Sequence, residues 1–181
     1  MRRYVFGAVL IGGVAVLDLF IKRIVARSFY LGESVEVIPG FFSLTYILNP
    51  GAAFGLLSSL NTSLRIPFLL VSGILGLSFI VHLYLGPLGK KQLLAVGLPL
   101  IAAGAIANLY ERVTAGAVVD YLDFYINRYH WPMFNVADAS ISVGVALVLL
   151  DSFMDRASGD TTAPNKTSGQ VINEKQQEES L

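Results

Sequence analysis

The chain has no cysteine and only two histidines among its 181 residues. The first absence removes disulfides, thiolate nucleophiles and cysteine metal sites. His82 and His130 lie far apart in sequence and have no metal-ligand spacing, which argues against a zinc hydrolase. Neither sits in a motif that would make it the base for a serine nucleophile. Charge is scarce too. Charged residues make up 14% of the chain and balance to +0, so there is no basic footprint for nucleic acid. Chemistry is left to carboxylates, amides and a few arginines, with no metal and no cofactor expected.

Apolar residues, by contrast, make up 54% of the chain, and the mean hydropathy is +0.63, well above what a soluble domain needs. Four runs carry this excess: "YVFGAVLIGGVAVLDLFI" (4–21), "IPFLLVSGILGLSFIVHLYLG" (66–86), "QLLAVGLPLIAAGAIANLY" (92–110) and "MFNVADASISVGVALVLL" (133–150). Each is close to the ~20 residues that cross a hydrocarbon core. The first begins Met-Arg-Arg like a signal peptide. It holds Asp18, lacks a small-x-small cleavage site and is followed by three more runs, so it reads as an anchor that stays. The expected fold is an all-α polytopic membrane protein with four transmembrane helices and a small β-rich extracytoplasmic loop or cradle.

"PLGKK" between the second and third runs, with Arg2 and Arg3, places the N-terminus inside by the positive-inside rule. Lys22, Arg23, Arg27 and Arg65 break that rule, because parity puts 22–65 and 111–134 outside. The stretch 34–55 alternates in places, with turns at Pro39-Gly40 and Asn49-Pro50-Gly51, and reads as a small sheet or hairpin. The stretch 121–134 is dense in aromatics, as interfacial segments are. The expected organisation is a four-span domain over 1–153 and a polar tail over 154–181, disordered and cytoplasmic.

With this topology the unusual polar residues fall on one membrane face. Asp18 ends the first span, Asn108, Glu111 and Arg112 end the third, Asp120 and Asp123 lie in the second outer loop, and Asn135 and Asp138 open the fourth span. Some have ordinary readings. Asn135 is a good N-cap with Asp138 at N3. Asp18 and Lys22 at i, i+4 form a helix ion pair, worth ~0.5 kcal/mol or less if exposed, that braces the site or anchors the span. One site would explain the coincidence better than four unrelated helix ends. Two carboxylates meeting at an interface can hydrolyse a peptide by sharing one proton, one taking a proton from water and the other bonding the scissile carbonyl. Asp138 is one of them. In "VVDYLDF" the local pattern does not choose between Asp120 and Asp123 for the other. A small proton-coupled transporter, with Asp18, Asp120 and Asp138 as a relay, and a non-enzymatic scaffold are the competing readings.

Four stretches in order, "DLFIK" (18–22), "NPGAAFG" (49–55), "GAIANLYERVTAGAVVDYLDF" (104–124) and "FNVADASISVG" (134–144), resemble the bacterial lipoprotein signal peptidases, signal peptidase II. The resemblance covers about residues 1–153. It implies an aspartic endopeptidase of the bacterial cytoplasmic (inner) membrane, with both termini cytoplasmic and its site near the outer face. The implied partners are membrane lipid and diacylglyceryl-modified prolipoproteins, which it would cut before the lipidated cysteine. It also implies that Asp120 and Asp138 are catalytic and Asp123 is structural or interfacial. Asn49, Asn108, Arg112 and Asn135 would bind substrate or orient the dyad, with Asp18, Lys22 and Glu111 in support. The chain departs from the family pattern at Ala107 (usually Gly), Glu111 (usually Asp) and Leu19 (usually Gln).

Overall fold

The computed structural model describes residues 1–52 and 56–159. The expected helices are present: α1 (Arg2–Ser28), α2 (Thr62–Leu85), α3 (Gln92–Ala115) and α4 (Val136–Gly159). Among the described residues, four helices are long and apolar enough to cross a membrane. Their outward faces stay apolar. Val9, Val16 and Phe20 on α1 and Phe68, Leu75 and Phe79 on α2 are all exposed, an arrangement that fits a lipid surround. Helix α4 runs to Gly159, past the boundary placed at 153, and the tail from 160 onward lies outside the described residues.

Helix α3 is the central one, packed against α1, α2 and α4. Its seam with α4 is built from small residues, because in lipid close backbone approach replaces the hydrophobic drive between helices. Ala107 and Ala137 are fully buried there and cluster with Ala15 of α1. A Cβ on Gly104 would lie 2.2 Å from the Ala137 carbonyl oxygen and 2.7 Å from Ser140 Oγ. Gly104→Val is therefore expected to push α4 away at the turn that carries Asp138. Overpacking of this kind costs about 1–3 kcal/mol. A lower melting temperature in detergent, with activity lost in parallel, is the measurable result. An unchanged melting temperature would show that the seam yields.

One end of the bundle is closed by ordinary interfacial pairs. Tyr84 donates to the Arg3 carbonyl at 2.6 Å, and Lys91 pairs with Asp151 at 3.1 Å and also with Asp155. The other end carries a four-stranded antiparallel sheet in the order β1 (Ser34–Ile38), β2 (Phe42–Asn49), β3 (Val118–Ile126), β4 (Tyr129–His130). The hairpin expected in 34–55 is β1–β2, turning at Gly40, whose φ of 72° suits glycine. The aromatic stretch turns out to supply two further strands. Gly116, in the left-handed conformation with φ 73°, ends α3 and lets the chain double back into β3. An irregularity between Leu44 and Ile47 shifts the register, so that Ile47 faces Asp120 and Asn49 faces Val118 across the β2–β3 pair. Arg65 is buried at the start of α2, where its guanidinium donates to the Ser58 and Leu60 carbonyls and pins the preceding turn.

Candidate active site

The start of α4 is held from three directions. The free N–H groups of a helix's first turn need acceptors, and here each comes from a different element. The Val136 N–H donates to the Tyr121 hydroxyl of β3 (3.2 Å), the Ala137 N–H to Asp18 Oδ1 of α1 (2.9 Å) and the Asp138 N–H to Asn135 Oδ1 (2.9 Å). Asn135 is thus the N-cap and Asp138 is N3, as the sequence predicts. Tyr121, Asn135 and Asp18 are essentially buried, so the carboxylate at N3 is aimed by a rigid frame.

Asp120 projects from β3 into the same space. Strand geometry separates it from Asp123, since residues three apart point to opposite faces. Asp120 accepts from Asn49 Nδ2 (3.0 Å) and Asn135 Nδ2 (2.7 Å). Asp123 instead pairs with His130 on β4 (2.8 Å). Asn135 therefore touches both candidate aspartates, donating to the side chain of Asp120 and capping the backbone of Asp138. Its second amide bond, to the Val119 carbonyl (3.3 Å), fixes its orientation. Asn49 is fixed similarly. Its Oδ1 accepts from the Gly51 N–H (3.0 Å), making an Asx turn at Asn-Pro-Gly.

Behind Asp138 lies a buried ion cluster. Asn108 Nδ2 donates to Asp138 Oδ1 (2.8 Å), and Asn108 Oδ1 accepts from Lys22 Nζ (2.8 Å). Lys22 also reaches Asp18 Oδ2 and Glu111 Oε2, each at 2.8 Å. The ammonium thus lies 2.8 Å from three oxygens, with its hydrogen bond going to Asn108. The Asp18–Lys22 pair is buried at 0% and 2% exposure, so the small energy of an exposed i, i+4 pair does not apply to it. Glu111, one methylene longer than the family's usual Asp, accepts from the Val119 N–H at 3.2 Å and so holds the residue preceding Asp120. Leu19, where an amide is usual, packs against the Ala15, Ala107 and Ala137 cluster. Among the described residues no grouping of three or more His, Asp or Glu is placed to hold a metal ion, and Lys22 is the cation between Asp18 and Glu111.

Burial pushes the Asp120 carboxyl up from 3.8 to about 6. The bonds from Asn49 and Asn135 pull it down, and the nearby Asp138 charge pushes it up further. Arg112 stands beside the pair, donating to the carbonyls of Gly51 (2.9 Å) and Asn108 (3.2 Å), while its buried Nε has no hydrogen-bond partner among the described residues.

Both carboxylates face a cavity of about 740 Å³, mostly apolar, running between α2 and α4. Asn49, Asn108, Arg112, Asp120 and Asp138 line it, so the structure brings five of the sequence-chosen residues to one wall. Asn135 is fully buried behind them, and Asp18, Lys22 and Glu111 form the layer behind α3. The sequence reading missed the apolar walls: Leu69, Ser72 and Gly73 from α2 and Trp131 to Phe134 before α4. Small residues in mid-span, Ser72-Gly73, were the available signal for a groove.

The chain is similar to known proteins in sequence and in fold. The family model described as Signal peptidase (SPase) II matches residues 10–154. The lipoprotein signal peptidase of Syntrophus aciditrophicus is 43% identical over 140 residues, covering 77% of this chain and 87% of that protein. That of Geobacter sulfurreducens is 43% identical over 147 residues, covering 81% and 90%. A bacterial membrane enzyme solved by the in meso method at 2.3 Å superposes with a TM-score of 0.78 at 30% identity, covering 90% of this chain and 94% of that one. A second such enzyme, at 1.9 Å, gives 0.71 at 33% identity, covering 81% and 91%. These matches lend nothing to the transporter reading. A family match across most of the length, relatives above 40% identity and a shared fold make this chain a member of the signal peptidase II family, the lipoprotein signal peptidases.

Proposed function

We propose that the chain is an aspartic endopeptidase whose catalytic dyad is Asp120 and Asp138, acting on prolipoproteins that carry diacylglycerol on the cysteine after the cleavage site. The observation that carries this reading is the Asn135 amide, which donates to the Asp120 carboxylate and caps the backbone N–H of Asp138, with both carboxylates at the wall of an apolar cavity. With one proton shared between them, the pair takes the arrangement in which Asp120 holds it and bonds the scissile carbonyl oxygen, while Asp138, ionised, takes a proton from the attacking water. The tetrahedral carbon then collapses, the C–N bond breaks, and the proton held by Asp138 passes to the leaving amine. Asn108 and Arg112 steady the ionised partner and the substrate backbone. The protons belong to the pair rather than to either residue.

The helices are proposed to form four spans with both termini cytoplasmic, the sheet and site lying at the outer face. That placement suits a substrate held in the bilayer by its signal helix and acyl chains. The cavity between α2 and α4 then admits it sideways, with the apolar walls taking the lipid.

The test is cleavage of a diacylglyceryl-modified prolipoprotein beside its unlipidated form by purified protein. Cleavage of the lipidated form at the bond before cysteine, with little of the other, is expected. Equal cleavage of both, or none, overturns the substrate assignment. In the same assay kcat/KM should fall on the alkaline side with an apparent pKa near 6, because ionising Asp120 removes the acid. The kcat limb should lie higher, since bound acyl chains exclude water and further disfavour charge. Asn49→Ala removes a bond that favours the ionised form, so it should move the kcat/KM limb upward.

A further inference from the structure

Four cations break the positive-inside pattern at the sheet end of the bundle. Two are accounted for, Lys22 by the ion cluster and Arg65 by its loop carbonyls. Arg23 and Arg27 are exposed, one helical turn apart on α1, and neither has a hydrogen-bond or ion-pair partner among the described residues. Arg23 lines a second cavity of about 700 Å³, on the far side of α3 from the first, between α1 and α3 beneath β2. Its volume is that of a site for one modest ligand.

The walls of this groove have a graded character. Val16 and Phe20 of α1 and Tyr110 of α3 continue the apolar stripes that face outward, so an acyl chain in the bilayer runs into the groove without leaving apolar surroundings. Arg23 stands farther along α1, toward the sheet, with Arg27 beyond it. The floor is Lys22 and Glu111, paired at 2.8 Å, with Asp18 buried behind them on the same ammonium, so the cluster holds one more carboxylate than cation. Arg23 and Arg27 outweigh that excess, and the groove is net positive.

We propose that this groove binds one anionic glycerophospholipid of the surrounding bilayer, its phosphate held by Arg23 and Arg27 and its acyl chains lying along Val16, Phe20 and Tyr110. The guanidinium fork suits a phosphate diester, and a cation at the membrane surface favours an anionic headgroup. The site is separate from the prolipoprotein cavity and shares with it only the ion cluster between them. A lipid seated here covers the exposed edge of Glu111.

The experiment is native mass spectrometry of the full chain released from detergent after equilibration with equal amounts of phosphatidylglycerol and phosphatidylcholine. The wild type should retain one phosphatidylglycerol, preferred over phosphatidylcholine by about tenfold or more. Arg23→Gln with Arg27→Gln should lose most of that preference. Both side chains are exposed and unpaired, so the fold should not change. Ala26→Trp, which fills the groove from an exposed position, should lose the retained lipid itself. A wild type without headgroup preference, variants that keep it, or a dimer released without lipid overturns the proposal. No prolipoprotein is involved, so failure here is distinct from failure of the peptidase reading.

Discussion

Asp120→Asn and Asp138→Asn are each expected to abolish cleavage of lipidated prolipoprotein, by about 10⁴-fold or more, as loss of one member of a cooperating catalytic set does. Neither loss should come from unfolding, because both changes are nearly isosteric. For Asp120 the accompanying stability change has a predictable sign. Its carboxyl titrates near 6 in the folded chain against 3.8 unfolded, so the folded state holds its proton more tightly. Stability from this group is full below 3.8 and is lost as pH rises through 6, about 3 kcal/mol in all. An amide at position 120 removes that cost. It also meets two donor groups, from Asn49 and Asn135, whose orientations are fixed elsewhere, so one bond is forfeited at about 1 kcal/mol. Asp120→Asn should therefore melt higher than wild type at pH 8 and lower at pH 4, while remaining inactive at both. Asp123→Asn, on the opposite strand face and paired with His130, should keep cutting. Full activity in either dyad variant, or its loss in Asp123→Asn with the fold intact, would break the assignment.

The helices were legible because each is a long apolar run, and that signal needs no tertiary information. The cap at Asn135 was legible because capping is local. The gathering of polar residues at one end followed from counting spans. The unread features depend on distant contacts. The β-branched and aromatic residues of 118–126 suit a strand, but without clean alternation they do not say which side faces the site; pairing with β2 decides that. For the same reason the local pattern could not choose between Asp120 and Asp123 before the family resemblance did. Extended backbone sends one toward Asn135 and the other toward His130. The i, i+4 spacing of Asp18 and Lys22 marks an ion pair but looks the same whether a partner helix covers it or not. Only the packing of α3 and α4 over them makes the pair buried.

That burial underlies the second large effect, for Lys22→Met. The replacement keeps the length of the side chain and removes its charge. It leaves the Asp18 and Glu111 carboxylates facing an apolar thioether, where each had a cation at 2.8 Å. Removing one partner of a buried pair costs about 3–5 kcal/mol, because the remaining charge keeps its desolvation penalty without its compensation. Both orphaned carboxylates also perform second tasks. Asp18 caps the Ala137 N–H, one residue before Asp138, and Glu111 holds the Val119 N–H, one residue before Asp120. Asn108, freed from Lys22, is no longer held in the orientation that gives its NH₂ to Asp138. One substitution therefore loosens both members of the dyad from behind. The expected result is a large fall in melting temperature in detergent together with near-complete loss of cleavage. Lys22→Arg should restore part of the stability and less of the activity, since a guanidinium fork cannot place three donors where a tetrahedral ammonium does. Adding Asp18→Asn and Glu111→Gln to Lys22→Met removes the unpaired charges and should recover stability without recovering cleavage. If instead the triple variant cleaves as the wild type does, the cluster serves only folding and does not position the dyad. If Lys22→Met melts like the wild type, the cluster is not the buried charge network described for it.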